Sequence, residues 1–215
     1  MAAGPVGVAL VGFGYAGRTF HAPLIDARPA PDLHTVVSTR PGEVLAAWPR
    51  ARPVASLDAA LADPAVGLVV LATPNALHAP QARAALEAGK AVVVDKPFAL
   101  SLAEARELAA LAEARGLLLS VFHNRRWDAD FLALRGALAA DRLGPVITFE
   151  SRFDRFRPEV RDRWRERDEP GAGLWYDLGP HLVDQALVLF GRPLAVALGL
   201  APPRPGGTGV GWCHA

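Results

Sequence analysis

Apolar runs alternate along this chain with polar, helix-compatible stretches. Val6 to Val11 and Leu33 to Val37 are the first two runs, and Val66 to Ala72 (VGLVVLA) and Ala91 to Asp95 (AVVVD) are continuous, as expected of strands buried on both faces. Leu117 to Phe122 is a further run. Between them lie a helix-compatible stretch from Thr19 to Ala27 and a clearer helix that opens at Ser101 and stops at Gly116. The Ser101 hydroxyl can cap that helix while Glu104 reaches back as a capping box. Five or six strands alternating with helices predict an α/β fold with a doubly wound parallel sheet. Near Leu143-Gly144-Pro145 the pattern changes to a long extended segment, Val146 to Phe156, then an irregular stretch, a helix from about Leu178 to Phe190 and a strand from Leu194 to Leu200.

A glycine turn gives the first run a chemical meaning. Gly12, Gly14 and Gly17 (GFGYAG) follow a strand and precede a helix. In that context the first glycine permits the tight turn, the second lets backbone approach a pyrophosphate, and the third lets helix and strand pack closely. Phe13, Tyr15 and Ala16 complete the phosphate-binding loop. The fingerprint also expects an acid about 20 positions on, at the tip of the second strand, to bond ribose hydroxyls. This chain has Ser38-Thr39-Arg40 there instead. Two hydroxyls and a guanidinium suit a 2′-phosphate, so NADP is expected over NAD, against the plainer reading of Arg40 as a solvated loop residue.

Composition narrows the class. With 215 residues and 51% hydrophobic content the chain can bury a sizeable core. A net charge of +1 supplies no field for nucleic acid or an anionic membrane, so neither is an expected partner. Residues 152 to 169 hold seven arginines but six acids, which makes a nearly neutral loop rather than a nucleic-acid patch. The N-terminus lacks the features of a signal peptide and no run is long enough to span a bilayer, so the cytoplasm is expected. The single cysteine, Cys213, excludes an intrachain disulfide.

Ligands of doubly wound sheets bind at the carboxyl ends of the strands. Polar groups recur there: Thr73-Pro74-Asn75, Asp95-Lys96-Pro97 and His123-Asn124-Arg125-Arg126. Lys96 lies between a buried strand and a proline and is expected to point into a cleft, where it can stabilise negative charge developing on a substrate oxygen; pairing with Asp95 alone is the alternative. Asp177, His181 and Asp184 are spaced four and three apart, so a helix puts them on one face. Pro180 suggests that this helix begins near Leu178 with Asp177 as its N-cap. His181 suits proton exchange near neutral pH. Without function these residues would be a cap, a buried imidazole and a surface carboxylate. No second histidine lies at ligand spacing, so no metal is expected.

These segments resemble the glucose-fructose oxidoreductase, inositol dehydrogenase and MocA (Gfo/Idh/MocA) family, particularly its scyllo-inositol dehydrogenase-like branch. The matching pieces are VALVGFGYAGRTFHAPLI at Val8 to Ile25, ATPNALH at Ala72 to His78, DKPFALS at Asp95 to Ser101, VFHNRRWD at Val121 to Asp128, and WYDLGPHLVDQALVLFG at Trp175 to Gly191. The resemblance implies an N-terminal Rossmann domain over 1–122 and a partial C-terminal α/β substrate and oligomerisation domain with an antiparallel sheet over 123–200. It implies Lys96, Asp177 and His181 as catalytic residues, and Asn124, Arg125 and Asp184 as substrate-binding. Thr73, Asn75, His78, Asp95 and Lys96 join the glycine loop and Ser38-Thr39-Arg40 around the cofactor, with Asp95 replacing the commoner Glu. The reaction implied is reversible oxidation of a ring hydroxyl of a sugar or polyol, inositol-like, by NADP or NAD, in a protein that can form a homo-oligomer.

The resemblance fades after about Leu198, and residues 201–215 read as a disordered or aberrant tail. A C-terminally shortened chain leaves a rival expectation, a non-catalytic dinucleotide-binding protein. A pure interaction module is a third class.

Overall fold

The computed structural model describes residues 6–27, 32–154, 159–160, 166–201 and 212–214. Its first strand, β1 (Gly7–Val11), is buried along its whole length, and the reason is visible in the alternation of its side chains. Val8 and Leu10 face one side of a sheet with Ala22, Ile25, Leu33 and Val44. Ala9 and Val11 face the other with Leu71, Ala82, Leu86 and Leu108. A strand with an apolar layer on both faces has no polar side to show, which is why GVALV is uniformly apolar. Each such Leu or Val contributes about 1.5–3 kcal/mol by burial.

The sheet is built from β1, β2 (Asp32–Val37), β3 (Arg52–Val54), β4 (Val66–Leu71), β5 (Ala91–Asp95) and β6 (Leu119–Phe122), in the order β3-β2-β1-β4-β5-β6. All neighbouring pairs run parallel. A π-helical turn (Gly17–His21) and helix α1 (Ala22–Asp26) follow β1. Further crossovers use α2 (Pro41–Ala47), α3 (Leu57–Leu61), α4 (His78–Glu87) and α5 (Leu102–Ala114). α1 and α2 supply the apolar layer containing Ile25 and Val44, and α3, α4 and α5 the one containing Ala60, Leu86 and Leu108. The direction of winding therefore reverses between β1 and β4, and the crevice at their carboxyl ends is the switch point of a doubly wound sheet. The capping box of α5 is present, Ser101 accepting from the Glu104 amide and the Glu104 carboxylate accepting from the Ser101 amide.

This sheet belongs to the first of two compact units, Met1–Phe122; the second is His123–Ala215. The second contains a 3-10 turn (Asn124–Trp127), helix α6 (Ala129–Ala139), the long helix α7 (Gly173–Phe190), and strands β7 (Gly199–Ala201) and β8 (Trp212–His214), which pair antiparallel.

Three expectations for this unit need correction. Val146 to Asp154, the described part of the segment expected to be extended, forms no strand and pairs with none of the described strands. The strand expected from Leu194 to Leu200 is confined to Gly199–Ala201. The long helix starts at Gly173, not Leu178, so Pro180 is interior and Asp177 is a helical residue; the N-cap is Ala172. Gly179 beside that proline gives room to Trp175, since a Cβ at Gly179 would lie 2.7 Å from the Trp175 ring. Of the expected tail, Ala201 and residues 212–214 are in the ribbon; 202–211, like residues 161–165 of the arginine-rich loop, lie outside the described residues. Among the described residues no helix is long and apolar enough to cross a membrane.

Candidate active site

The switch point of the first unit holds a cavity of about 230 Å³ lined by the glycine turn, the tip of β2 and the end of β4. Gly12 turns the chain out of β1 with φ +98°, and a Cβ there would lie 2.5 Å from the Ala72 carbonyl oxygen, so no other residue fits without displacing backbone. A Cβ on Gly17 would collide with the Gly12 carbonyl oxygen, which lets the helical run press against the turn. Gly14 differs: a Cβ there would meet nothing within 4 Å. Its glycine is therefore not required by packing, and the open space in front of it fits close approach of a phosphate. Phe13 lends the cavity only backbone, its ring being buried edge-on against Trp48 at 5.7 Å. Tyr15 is exposed, with its ring edge-on to Phe20, and Ala16 leads into the π-turn.

Ser38, Thr39 and Arg40 line the opposite wall. The Arg40 amide donates to Ser38 Oγ (3.0 Å), and its guanidinium donates to the Phe13 carbonyl (3.0 Å) and to Glu43 (3.1 Å). Glu43 also accepts from Arg18 at 2.9 Å. Arg40 is thus tied at the cavity rim to the glycine loop, with about half of its side chain exposed. Thr73 closes the third side and donates to Gln81 Oε1 at 2.7 Å.

His78 does not line this cavity. Its ring is 1% exposed, with Nδ1 2.7 Å from the Pro97 carbonyl and Nε2 3.0 Å from the Thr73 carbonyl. It ties the end of β4 to the turn after β5 and so positions Thr73 and the Lys96-Pro97 segment. Asn75 is likewise buried. At the end of β5, Asp95 Oδ1 accepts from the Lys96 amide at 2.8 Å, and Oδ2 stands 3.6 Å from Nε2 of the buried His21. Burial raises the Asp95 pKa, but the His21 ring, the Lys96 amide and the Lys96 charge outweigh it and hold the carboxyl below its ordinary value.

In the second unit α7 carries Asp177, His181 and Asp184, four and three residues apart and therefore on one face. His181 and Asp184 are buried. Asp184 is not a surface carboxylate: Arg126 donates to both its oxygens, from Nε at 2.7 Å and Nη2 at 2.6 Å. That pairing raises the Arg126 pKa, although its partial burial opposes the shift. His123 Nε2 lies 3.9 Å from the same carboxylate. Arg125 donates to Asp128 at 2.8 Å and lies over the Phe153 ring at 4.6 Å, while its carbonyl accepts from Gln185. Asn124 opens the 3-10 turn that carries both arginines. Lys96 belongs to the first unit, and Asp177, His181 and Asp184 to the second.

Sequence reasoning missed His21 and Gln81, and it placed Arg126 among the strand-end polar groups without its pairing to Asp184. His21 and Arg126 both lie inside stretches that carried the family resemblance; what they lacked was any visible partner.

Comparison with known proteins decides the family. Residues 6–123 match the model described as an oxidoreductase family with an NAD-binding Rossmann fold, and residues 131–211 match its C-terminal domain. The chain belongs to the Gfo/Idh/MocA oxidoreductase family. Within it, the chain is 55% identical to the uncharacterized oxidoreductase YdgJ of Escherichia coli, covering 97% of this chain and 60% of that protein. It is 38% identical to the scyllo-inositol 2-dehydrogenase (NADP(+)) IolW of Bacillus subtilis, covering 96% and 58%. Its structure matches that of GenD2 from gentamicin A biosynthesis in complex with NAD, with TM-score 0.83 at 35% identity, covering 97% and 61%. The chain thus spans about 60% of the length of these Gfo/Idh/MocA relatives.

Proposed function

We propose that this chain is an NADP-preferring dehydrogenase that moves a hydride between the cofactor and a ring hydroxyl of a sugar or polyol of inositol type. The observation that carries the cofactor half is the switch-point cavity, with an unfilled approach at Gly14 on one wall and Ser38, Thr39 and Arg40 in place of an acid on the other. An arginine already held by the Phe13 carbonyl needs little ordering to meet a 2′-phosphate, and an acid at that position would repel one. The name of IolW supports both NADP and an inositol substrate; the NAD in the GenD2 complex supports the alternative cofactor.

Residues 1–122 would hold the cofactor and 123–200 the substrate. Bound nicotinamide supplies the hydride acceptor. His181 takes the proton from the substrate hydroxyl, Lys96 stabilises negative charge on that oxygen, and Asp177, one turn before His181, orients the imidazole. Asn124 and Arg125 bind other hydroxyls. Asp184, through Arg126, fixes the turn carrying Asn124 and Arg125, and so shapes the substrate site.

The test is oxidation of scyllo-inositol, myo-inositol and glucose with NADP+ and NAD+, followed by absorbance of the reduced nicotinamide. Turnover with NADP+ that changes to NAD+ preference in Arg40→Asp is the expected result; unchanged preference in that variant would refute the role of Arg40. A second reading, a dinucleotide-binding protein without catalysis, predicts binding without turnover on any of the three.

A further inference from the structure

We propose that His21, on the helical run after β1, is a positioning residue for Lys96, acting on it through Asp95. The inference rests on the proposed role of Lys96 in the reaction. His21 is 3% exposed, its ring packs on Phe122 at 4.3 Å between centroids, and its buried Nε2 makes no hydrogen bond. That nitrogen is aimed at Oδ2 of Asp95, 3.6 Å away, and Asp95 spends its other oxygen on the Lys96 amide. One carboxylate therefore faces the histidine with one oxygen and anchors the backbone of the lysine with the other.

An apolar ring would fill the space against Phe122 without burying an unsatisfied nitrogen, so packing does not account for a histidine here. The gap to Asp95 exceeds a formed hydrogen bond by only about 0.5 Å, and such contacts tighten in the complex with ligand. The groups facing the ring are Asp95 from the end of β5 and Phe122 from β6, with the Lys96 charge acting on Asp95 from beyond. Arg18 on the same turn is directed to Glu43. The shorter Asp suits this arrangement: its carboxylate stays close to the strand end, where His21 and the Lys96 amide meet it from two sides.

The test uses the whole 215-residue protein with its amines reductively methylated with carbon-13. The chain has two lysines, Lys90 and Lys96, so the side-chain signals are few and are assigned by Lys90→Arg. His21→Phe keeps an aromatic ring against Phe122 and removes the donor; His21→Gln restores a donor. The Lys96 signal should be displaced in His21→Phe and return towards its original position in His21→Gln, while Lys90, held by the Asp63 and Val66 carbonyls, stays put in both. With NADP+ and scyllo-inositol, His21→Phe should lose about tenfold in kcat, with KM and the NADPH Kd within about twofold of the original, and His21→Gln should recover most of the loss. An unmoved Lys96 signal in His21→Phe overturns the proposal, and so does the same displacement in both variants, which would make ring shape alone responsible. If His21→Phe does not fold, His21→Leu decides: it also removes the donor facing Asp95, so it must displace the Lys96 signal, and an unmoved signal overturns the proposal. Should scyllo-inositol not be turned over, the substrate assignment fails and the lysine signal alone judges His21.

Discussion

The two units of this chain bury their apolar residues to different extents. In the first, Val8, Leu10, Leu71, Leu86 and Val92 are fully buried in two layers on either side of the sheet. In the second, Ile147, Leu194 and Val196 are 91%, 108% and 75% exposed, and the α7 residues Val183, Leu187 and Phe190 are each two-fifths exposed or more. The cofactor half of the proposed chemistry therefore sits on a scaffold that closes on itself. The proton-transfer half sits on one long helix whose buried side holds His181 and Asp184 and whose other side is partly exposed. The proposed roles in cofactor binding and in proton transfer therefore rest on different amounts of packed structure.

The sharpest way to break that contrast is His181→Ala. It should cut turnover by about 10²–10⁴ and leave the NADPH Kd essentially unchanged, as measured by initial rates and fluorescence titration; equal losses in both would tie the functions of the two units together. Next in size is the core itself. Leu86→Ala should destabilise by about 2–5 kcal/mol, whereas Leu194→Ala, at a fully exposed position, should stay within about 0.5 kcal/mol, both read from urea unfolding.

A smaller effect is expected from Arg126→Ala, which leaves the buried Asp184 carboxylate without its main partner. It should cost about 1–3 kcal/mol in the second unit, and Asp184→Asn in the same background should recover part of it. The smallest concerns the amino end of the sheet, where Asp63 accepts from the Ala65 amide, His34 and Arg52. The Ala65 amide is the largest influence and, with His34 and Arg52, lowers the Asp63 pKa below its ordinary 3.8 against the opposing effect of burial. A depressed carboxyl stabilises the fold above its unfolded pKa and loses that contribution as pH falls through its folded one. Acid unfolding below about pH 4 should therefore be less steep in Asp63→Asn, a difference confined to signals from the first unit.

What was readable in advance follows the same division. VGLVVL and AVVVD announced buried parallel strands because burial on both faces leaves no polar position, and Ser101 with Glu104 announced a helix start because the capping box is local. β3 was not read: three residues containing Pro53 become a strand only because β2 offers an edge. Pro180 misled about α7, since a proline that usually marks a first turn here sits inside an 18-residue helix. At the site, the glycine turn and Ser38-Thr39-Arg40 were legible as a motif and a missing acid. The settings of Asp95 and Asp184 were not, because their partners His21 and Arg126 come from distant parts of the chain and carry no spacing signal. Local rules reached the backbone and the loops; pairings made by tertiary contact did not.

The claim on which the rest depends is that the switch-point cavity of the first unit binds a nicotinamide dinucleotide with Arg40 favouring the 2′-phosphate. Titration of the purified chain with NADPH and with NADH, followed by nicotinamide fluorescence, tests it directly. The account predicts binding of both, with NADPH tighter by about tenfold, or roughly 1.4 kcal/mol. Tighter NADH would contradict the role given to Arg40, and no binding of either would contradict the site.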